Sequence, residues 1–255
     1  PYIEKALLTG ITRVSKESMF SDMNNLYVAS ITTHRYETAF GFTEAEVFAA
    51  LDHVKLGKYK KRVKQWYDGF VIGRCRDIYN PWSITRFIDS DGEFDTYWAN
   101  TSSNNLVSSL ISKGSRTLKC AMEDLMNGIP VEADIDENID FDSLESEDDA
   151  VWGLLYTTGY LKADSVNEDV YTLSITNVEI YKMFTRMFRK WFARTRGSFG
   201  DFQKAFLKGD IEEMNYYMNM VTNMTFSYFD CGSGYGIIDE TERFYHGFVL
   251  GLIVD

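Results

Sequence analysis

The apolar positions fall into short groups whose spacing alternates between helical and extended, and this predicts mostly helices with a few strands. Val47, Phe48 and Leu51 share one face behind Thr43-Glu44-Ala45-Glu46. That tetrad is a capping box: the Thr43 hydroxyl serves the Glu46 amide while Glu46 reaches back, which starts a helix running to about Leu51. Val63 and Trp66 mark the apolar side of a second helix. Ile84, Phe87 and Ile88 form the stripe of a third, which opens at Pro81 with Asn80 as its cap. Asp95–Asn105 reads as a polar loop, followed by an amphipathic helix carrying Leu106, Val107, Leu110 and Ile111. Another helix spans about Leu118–Met126 and stops at Gly128-Ile129-Pro130.

The clearest unit lies between 148 and 192. A helix of about Asp149–Thr157 buries Val151, Trp152, Leu154 and Leu155. A strand then begins at Gly159-Tyr160-Leu161, turns at Asn167-Glu168-Asp169 and returns over Val170–Leu173. Thr176-Asn177-Val178-Glu179 reads as a second capping box. Behind it, Ile180, Met183, Phe184, Met187, Phe188 and Trp191 line one face of a long helix. Ala6-Leu7-Leu8 reads as a buried strand and Tyr27–Thr33 as a short strand or extended segment. Phe199–Phe229 reads as two short helices, 231–236 as a glycine-rich linker, and Asp239–Asp255 as a capped apolar helix. The class is therefore mainly α within α+β, with a winged-helix-like helix–hairpin–helix unit.

With 45% of its 255 residues hydrophobic, the chain has ample material for a core and suggests one to two domains. No apolar run approaches the roughly 18 residues of a membrane span, so no membrane partner is expected. The start at Pro1, without an initiator methionine or a leader, reads as a fragment boundary. Three distant cysteines, Cys75, Cys120 and Cys231, suit a reducing cytoplasm and have no metal-binding spacing. The net charge of −12 is local: ten acids and no base lie between Glu132 and Asp149, leaving 28 acids against 26 bases elsewhere. A nucleic-acid face outside that window is therefore not excluded.

Several segments carry candidate chemistry. The polar end of the opening strand places Thr9 and Arg13 where a hydroxyl and a guanidinium could contact phosphate, although a strand entering a surface turn explains the same residues. Lys55–Lys64 holds six bases and no acid; it reads first as a solvated helical surface, with phosphate contact as the alternative. Lys182, Arg186, Arg189, Lys190 and Arg194 form a basic stripe on the long helix, the one nucleic-acid footprint with a helical geometry, set against a face that merely keeps the helix solvated. Asp134, Asp136, Asn138, Asp140, Asp142 and Glu145 match the ligand spacing of a calcium loop. Ile139 stands where that loop needs glycine, and alternating apolar residues argue for an extended segment instead. No G-x-x-x-x-G-K-[ST] occurs, and His34, His53 and His246 are too scattered for zinc. No metal is expected.

The motifs TGITRVSKES, NNL, WYDGF, YNPWS, GYL and ERFYHGF, spread from Lys5 to Leu252, together resemble bacterial AAA-ATPase-like proteins with a C-terminal PD-(D/E)XK nuclease domain. The resemblance implies that 1–130 is the edge of a P-loop ATPase core and its helical lid. It implies a winged-helix-like unit over 131–196, a helical segment and linker over 197–236, and the first nuclease helix over 237–255. Thr9 and Arg13 would then sense nucleotide phosphate, and Glu242 would be the helix carboxylate of the nuclease; without it, Glu242 is a helix-start charge. ATP and Mg2+ are implied for the full-length protein alone, and no cofactor for this chain. The expectation is a portion of such a protein that is not catalytic by itself. The alternative is a non-enzymatic module whose partner is nucleic acid, another protein or a second copy of itself.

Overall fold

The computed structural model describes residues 7, 9–10, 27–99, 104–135, 137, 139, 143–144 and 147–216. Among them the chain is α+β, with helices and two small antiparallel sheets. It divides into two compact units, one of Pro1–Gly114 with Asp124–Met183 and one of Ser115–Glu123 with Phe184–Asp255.

In the first unit, β1 (Phe42–Thr43) leads into α1 (Glu44–His53). The capping box expected at Thr43 forms, with the Thr43 amide donating to Glu46 at 2.9 Å and the Glu46 amide to the Thr43 hydroxyl at 3.4 Å. A short turn gives α2 (Lys60–Tyr67), and a hairpin of β2 (Phe70–Ile72) and β3 (Cys75–Tyr79) follows. The first sheet has the order β1-β3-β2, with an irregularity between Phe70 and Ile72. Asn80 then caps α3 (Pro81–Asp89), accepting from the Trp82 amide at 2.9 Å. Val47, Leu51, Val63, Tyr67, Tyr79, Ile84 and Phe87 are buried together against Phe94 and Tyr97. Each such side chain contributes about 1.5–3 kcal/mol on leaving water.

Further along are α4 (Asn105–Lys113), α5 (Arg116–Met126) and β4 (Val131–Asp134). The strand alternates buried and exposed, so the extended reading of the acidic segment holds at Asp134. Asp136, Asn138, Asp140, Asp142 and Glu145 lie outside the described residues. Next come α6 (Asp148–Thr157), β5 (Leu161–Asn167), β6 (Val170–Ile175) and α7 (Val178–Lys208). This is the expected helix–hairpin–helix order. The second sheet runs β4-β6-β5, all antiparallel. Every residue from Ala150 to Tyr156 in α6 is buried.

Four expectations are corrected. Leu7 is 83% exposed and, with Thr9 and Gly10, has no regular structure; no strand among the described residues pairs with it. Residues 27–33 form no strand: 27–30 have no regular structure and 31–32 turn, where the Ser30 amide donates to the Thr33 hydroxyl at 3.0 Å and the Thr33 amide to the Ser30 carbonyl at 3.1 Å. Such local bonds from Ser and Thr compete with strand pairing. The cap of α7 is Asn177, which accepts from the Ile180 amide at 3.1 Å, and not Thr176, whose hydroxyl donates to the Gly159 carbonyl. Finally, α7 continues through 199–208, where a separate short helix was expected. Gly197 and Gly200 disfavour helix by only about 1 kcal/mol each, too little to break a long one. Gly209 ends it at φ +70°, and Asp210 caps the helical turn that follows, accepting from the Glu213 amide.

Candidate functional site

Three carboxylates converge where α1, the end of α2 and β3 meet. Glu44 is the first residue of α1, Asp68 ends α2, and Asp77 lies inside β3. One carboxylate oxygen from each lies within 4.8 Å of the others. Lys64, one turn before Asp68 on α2, sends its ammonium among them: it pairs with Glu44, lies 3.3 Å from Asp77 Oδ1 and 3.5 Å from Asp68 Oδ2. The Tyr79 hydroxyl donates to the same Glu44 oxygen at 3.2 Å. Asp77 adopts φ +59°, the left-handed region that Asp tolerates better than most residues.

The carboxylates differ in their setting. Asp77 has a half-exposed side chain, whereas Asp68 is only 7% exposed. Burial pushes the Asp68 carboxyl up to about 6; Asp77 adds to the shift, while the Gly69 amide and Lys64 oppose it. Lys64 is held protonated above its usual range by its hydrogen bond to Glu44. Asp68 Oδ1 is buried and has no hydrogen-bond partner.

A second buried acid stands elsewhere in the same unit. Glu179, in the first turn of α7, is 1% exposed. Its Oε2 accepts from the Ser83 hydroxyl at 2.8 Å, and its Oε1 from the amides of Trp98 at 2.6 Å and Ala99 at 3.3 Å. Burial raises its pKa and these donors oppose the rise. Next to it, the Asn177 side-chain amide donates to the Asp68 carbonyl at 2.9 Å. Gly69, at φ +111°, packs so closely on the Thr176 carbonyl that a Cβ there would collide with it. WYDGF and YNPWS are thus tied to the start of α7 by backbone contact and by one buried carboxylate.

Among the residues singled out from sequence, Thr9 is exposed, and Arg13 and Glu242 lie outside the described residues. The Lys182 ammonium sits 5.0 Å from the Trp66 ring centroid. Arg186 and Lys190 are exposed on α7; the Arg189 side chain lies outside the described residues. The bases of 55–64 behave as a solvated surface with partners: Lys60 pairs with Asp52 at 2.6 Å and Arg62 lies 4.0 Å over Phe94. The Glu44–Asp68–Asp77 group was not anticipated. Its one local signal is the Lys64–Asp68 spacing of four on a helix, which is too common to point anywhere.

No family model matches the chain. Over 184 residues it is 26% identical to a protein of Azotobacter chroococcum mcd 1 described as "Uncharacterized protein in vnfD 5'region". The match covers 70% of this chain and 33% of that relative, so the chain spans about a third of the relative's length. No solved structure matches. No described helix is long and apolar enough to cross a membrane.

Proposed function

We propose that this chain is the lid and connecting portion of an AAA-ATPase-like protein coupled to a PD-(D/E)XK nuclease, ATP-binding and nucleic-acid related in the full protein and non-hydrolytic by itself. The observation that carries this is the role of WYDGF and YNPWS, the motifs that suggested the family. Gly69 packs on Thr176, the Asp68 carbonyl accepts from Asn177, and Ser83 donates to Glu179. One backbone approach and two side-chain hydrogen bonds thus hold both motifs to the start of α7, which suits a rigid joint within the lid. In this reading Thr9, whose side chain is exposed, and Arg13 touch nucleotide phosphate, with Mg2+ accompanying the ATP. The helix–hairpin–helix of α6, β5, β6 and α7 is the winged-helix-like unit.

A phosphate-release assay tests the first half: the chain alone should show no ATP turnover above background, and robust turnover overturns the reading. In the longer protein, Arg13→Ala should lower turnover at least about tenfold, the scale of losing one charge-stabilising group. Unchanged turnover would remove Arg13 from the site.

A second reading, a non-enzymatic nucleic-acid module, draws on the exposure of Arg186 and Lys190. The hairpin of that unit turns through Glu168 and Asp169, and α6 opens with Asp148 and Asp149, which would repel phosphate. Salt-dependent duplex binding lost on Arg186→Glu with Lys190→Glu would favour it; binding indifferent to both ends it.

A further inference from the structure

We propose that Glu44, Asp68 and Asp77 form a site for one hard divalent cation of the Mg2+, Mn2+ or Ca2+ class, which takes the place that the Lys64 ammonium holds. This goes beyond the ATPase-like reading and does not depend on it. Four observations carry it together.

The first is spacing. Oxygens bound to a common divalent ion lie about 2.0–2.6 Å from it, and so within about 5 Å of one another. The three carboxylates meet that limit at 4.8 Å without rearrangement. The second is the orphaned oxygen. Asp68 is more than nine-tenths buried, and one of its carboxylate oxygens lies within 4.8 Å of an oxygen of each of the other two acids. Its Oδ2 lies 3.5 Å from the Lys64 ammonium, and its Oδ1 is buried with no hydrogen-bond partner. A buried carboxylate oxygen left so poorly served is costly, and a cation on the cluster would serve it.

The third is charge. Three carboxylates face one ammonium, so the group is under-neutralised, and a divalent ion in the ammonium's place would bring it closer to balance. The fourth is the means of exchange. The Lys64 side chain is 42% exposed on a flexible four-carbon stem, so its head can move to water while Asp68 and Glu44 stay fixed by their helices. An all-oxygen donor set without histidine or cysteine selects the hard ions over zinc or copper. Once bound, the ion would join α1, the end of α2 and β3.

The test is titration of the full chain with Mn2+ alone, followed by the fall of the free-ion paramagnetic resonance signal. One equivalent should bind saturably, with Kd on the order of 10⁻⁴ M for a three-carboxylate site that opens to water at Asp77. Asp77→Asn and Glu44→Gln should each weaken that binding at least about tenfold, while Lys64→Met should tighten it, because the competing cation is gone. Asp134→Asn, in the acidic segment, should bind as the parent does. The proposal is overturned by no saturable binding up to about 1 mM, the upper limit for weak modules of this kind. It is equally overturned if Asp134→Asn weakens binding while Asp77→Asn does not, or if Lys64→Met weakens it. Folding of each variant is checked by circular dichroism, and because Asp77 and Glu44 are separate ligands, either one decides the matter.

Discussion

Two buried acids in the same unit solve the same problem differently. Glu179 spreads its charge over three donors, and both of its oxygens are used. Asp68 keeps one oxygen without a hydrogen bond, although a lysine stands nearby. A carboxylate buried with a full set of donors behaves as a joint, since removing it strands the groups that pointed at it. A carboxylate buried with an oxygen to spare is held ready for something else. The contrast separates what holds this protein together from what it can offer a ligand.

The sharpest way to break the comparison is Glu179→Ala. It strands the Ser83 hydroxyl and two amides in the interior, and should cost about 3–5 kcal/mol in urea unfolding. A loss below about 1 kcal/mol would show that Glu179 is no joint. Gly69→Ala comes next, because a Cβ meets the Thr176 carbonyl at a backbone angle that only glycine adopts freely. A loss of about 2–3 kcal/mol is expected from strain of this kind. Unchanged stability would mean that WYDGF is not pressed against the start of α7.

The pH dependence follows from both acids. Their folded pKa values are raised, so each favours folding most strongly below its unfolded value and loses that contribution as pH rises. For Asp68 the window runs from 3.8 to about 6. The urea midpoint should therefore fall as pH climbs through that range. Glu179→Gln, which keeps an acceptor for the Trp98 and Ala99 amides, should flatten part of the fall at a cost of about 1 kcal/mol or less. A midpoint that rises over the same range would reverse the sign and sink the assignment.

Much of the fold was legible because its signals are local. Thr43 with Glu46, Asn80 before Pro81 and the Asn167-Glu168-Asp169 turn each declare themselves within a few residues, and the structure forms all three. What was missed depends on distance. Nothing near Thr176 reveals that its hydroxyl is taken by Gly159, leaving the cap to Asn177. Glu179 looked like half of a capping box, but its partners are Ser83, Trp98 and Ala99, some eighty or more residues away. The candidate site is the extreme case. Glu44, Lys64, Asp68 and Asp77 come from three elements and meet only because the β1-β3 pairing brings Thr43 opposite Ile78. No spacing rule for metal ligands reads across such a fold.

The smallest expected effect is the most informative about the site. Asp77 is half exposed, so its 3.3 Å pairing with Lys64 is worth little to folding. Replacing it with Asn also removes one of the influences that raise the Asp68 pKa. Asp77→Asn should therefore leave stability within about 0.5 kcal/mol of the parent, or slightly above it, when no divalent ion is added. The Asp68 titration, followed by carboxyl-carbon NMR, should move down from about 6 in the same variant, although burial keeps it above the ordinary aspartate range. A joint residue loses stability when cut; a ligand residue loses only the ligand. Were Asp77→Asn to unfold the chain as Glu179→Ala is expected to, Asp77 would belong with Glu179, and the distinction between the two acidic centres would disappear.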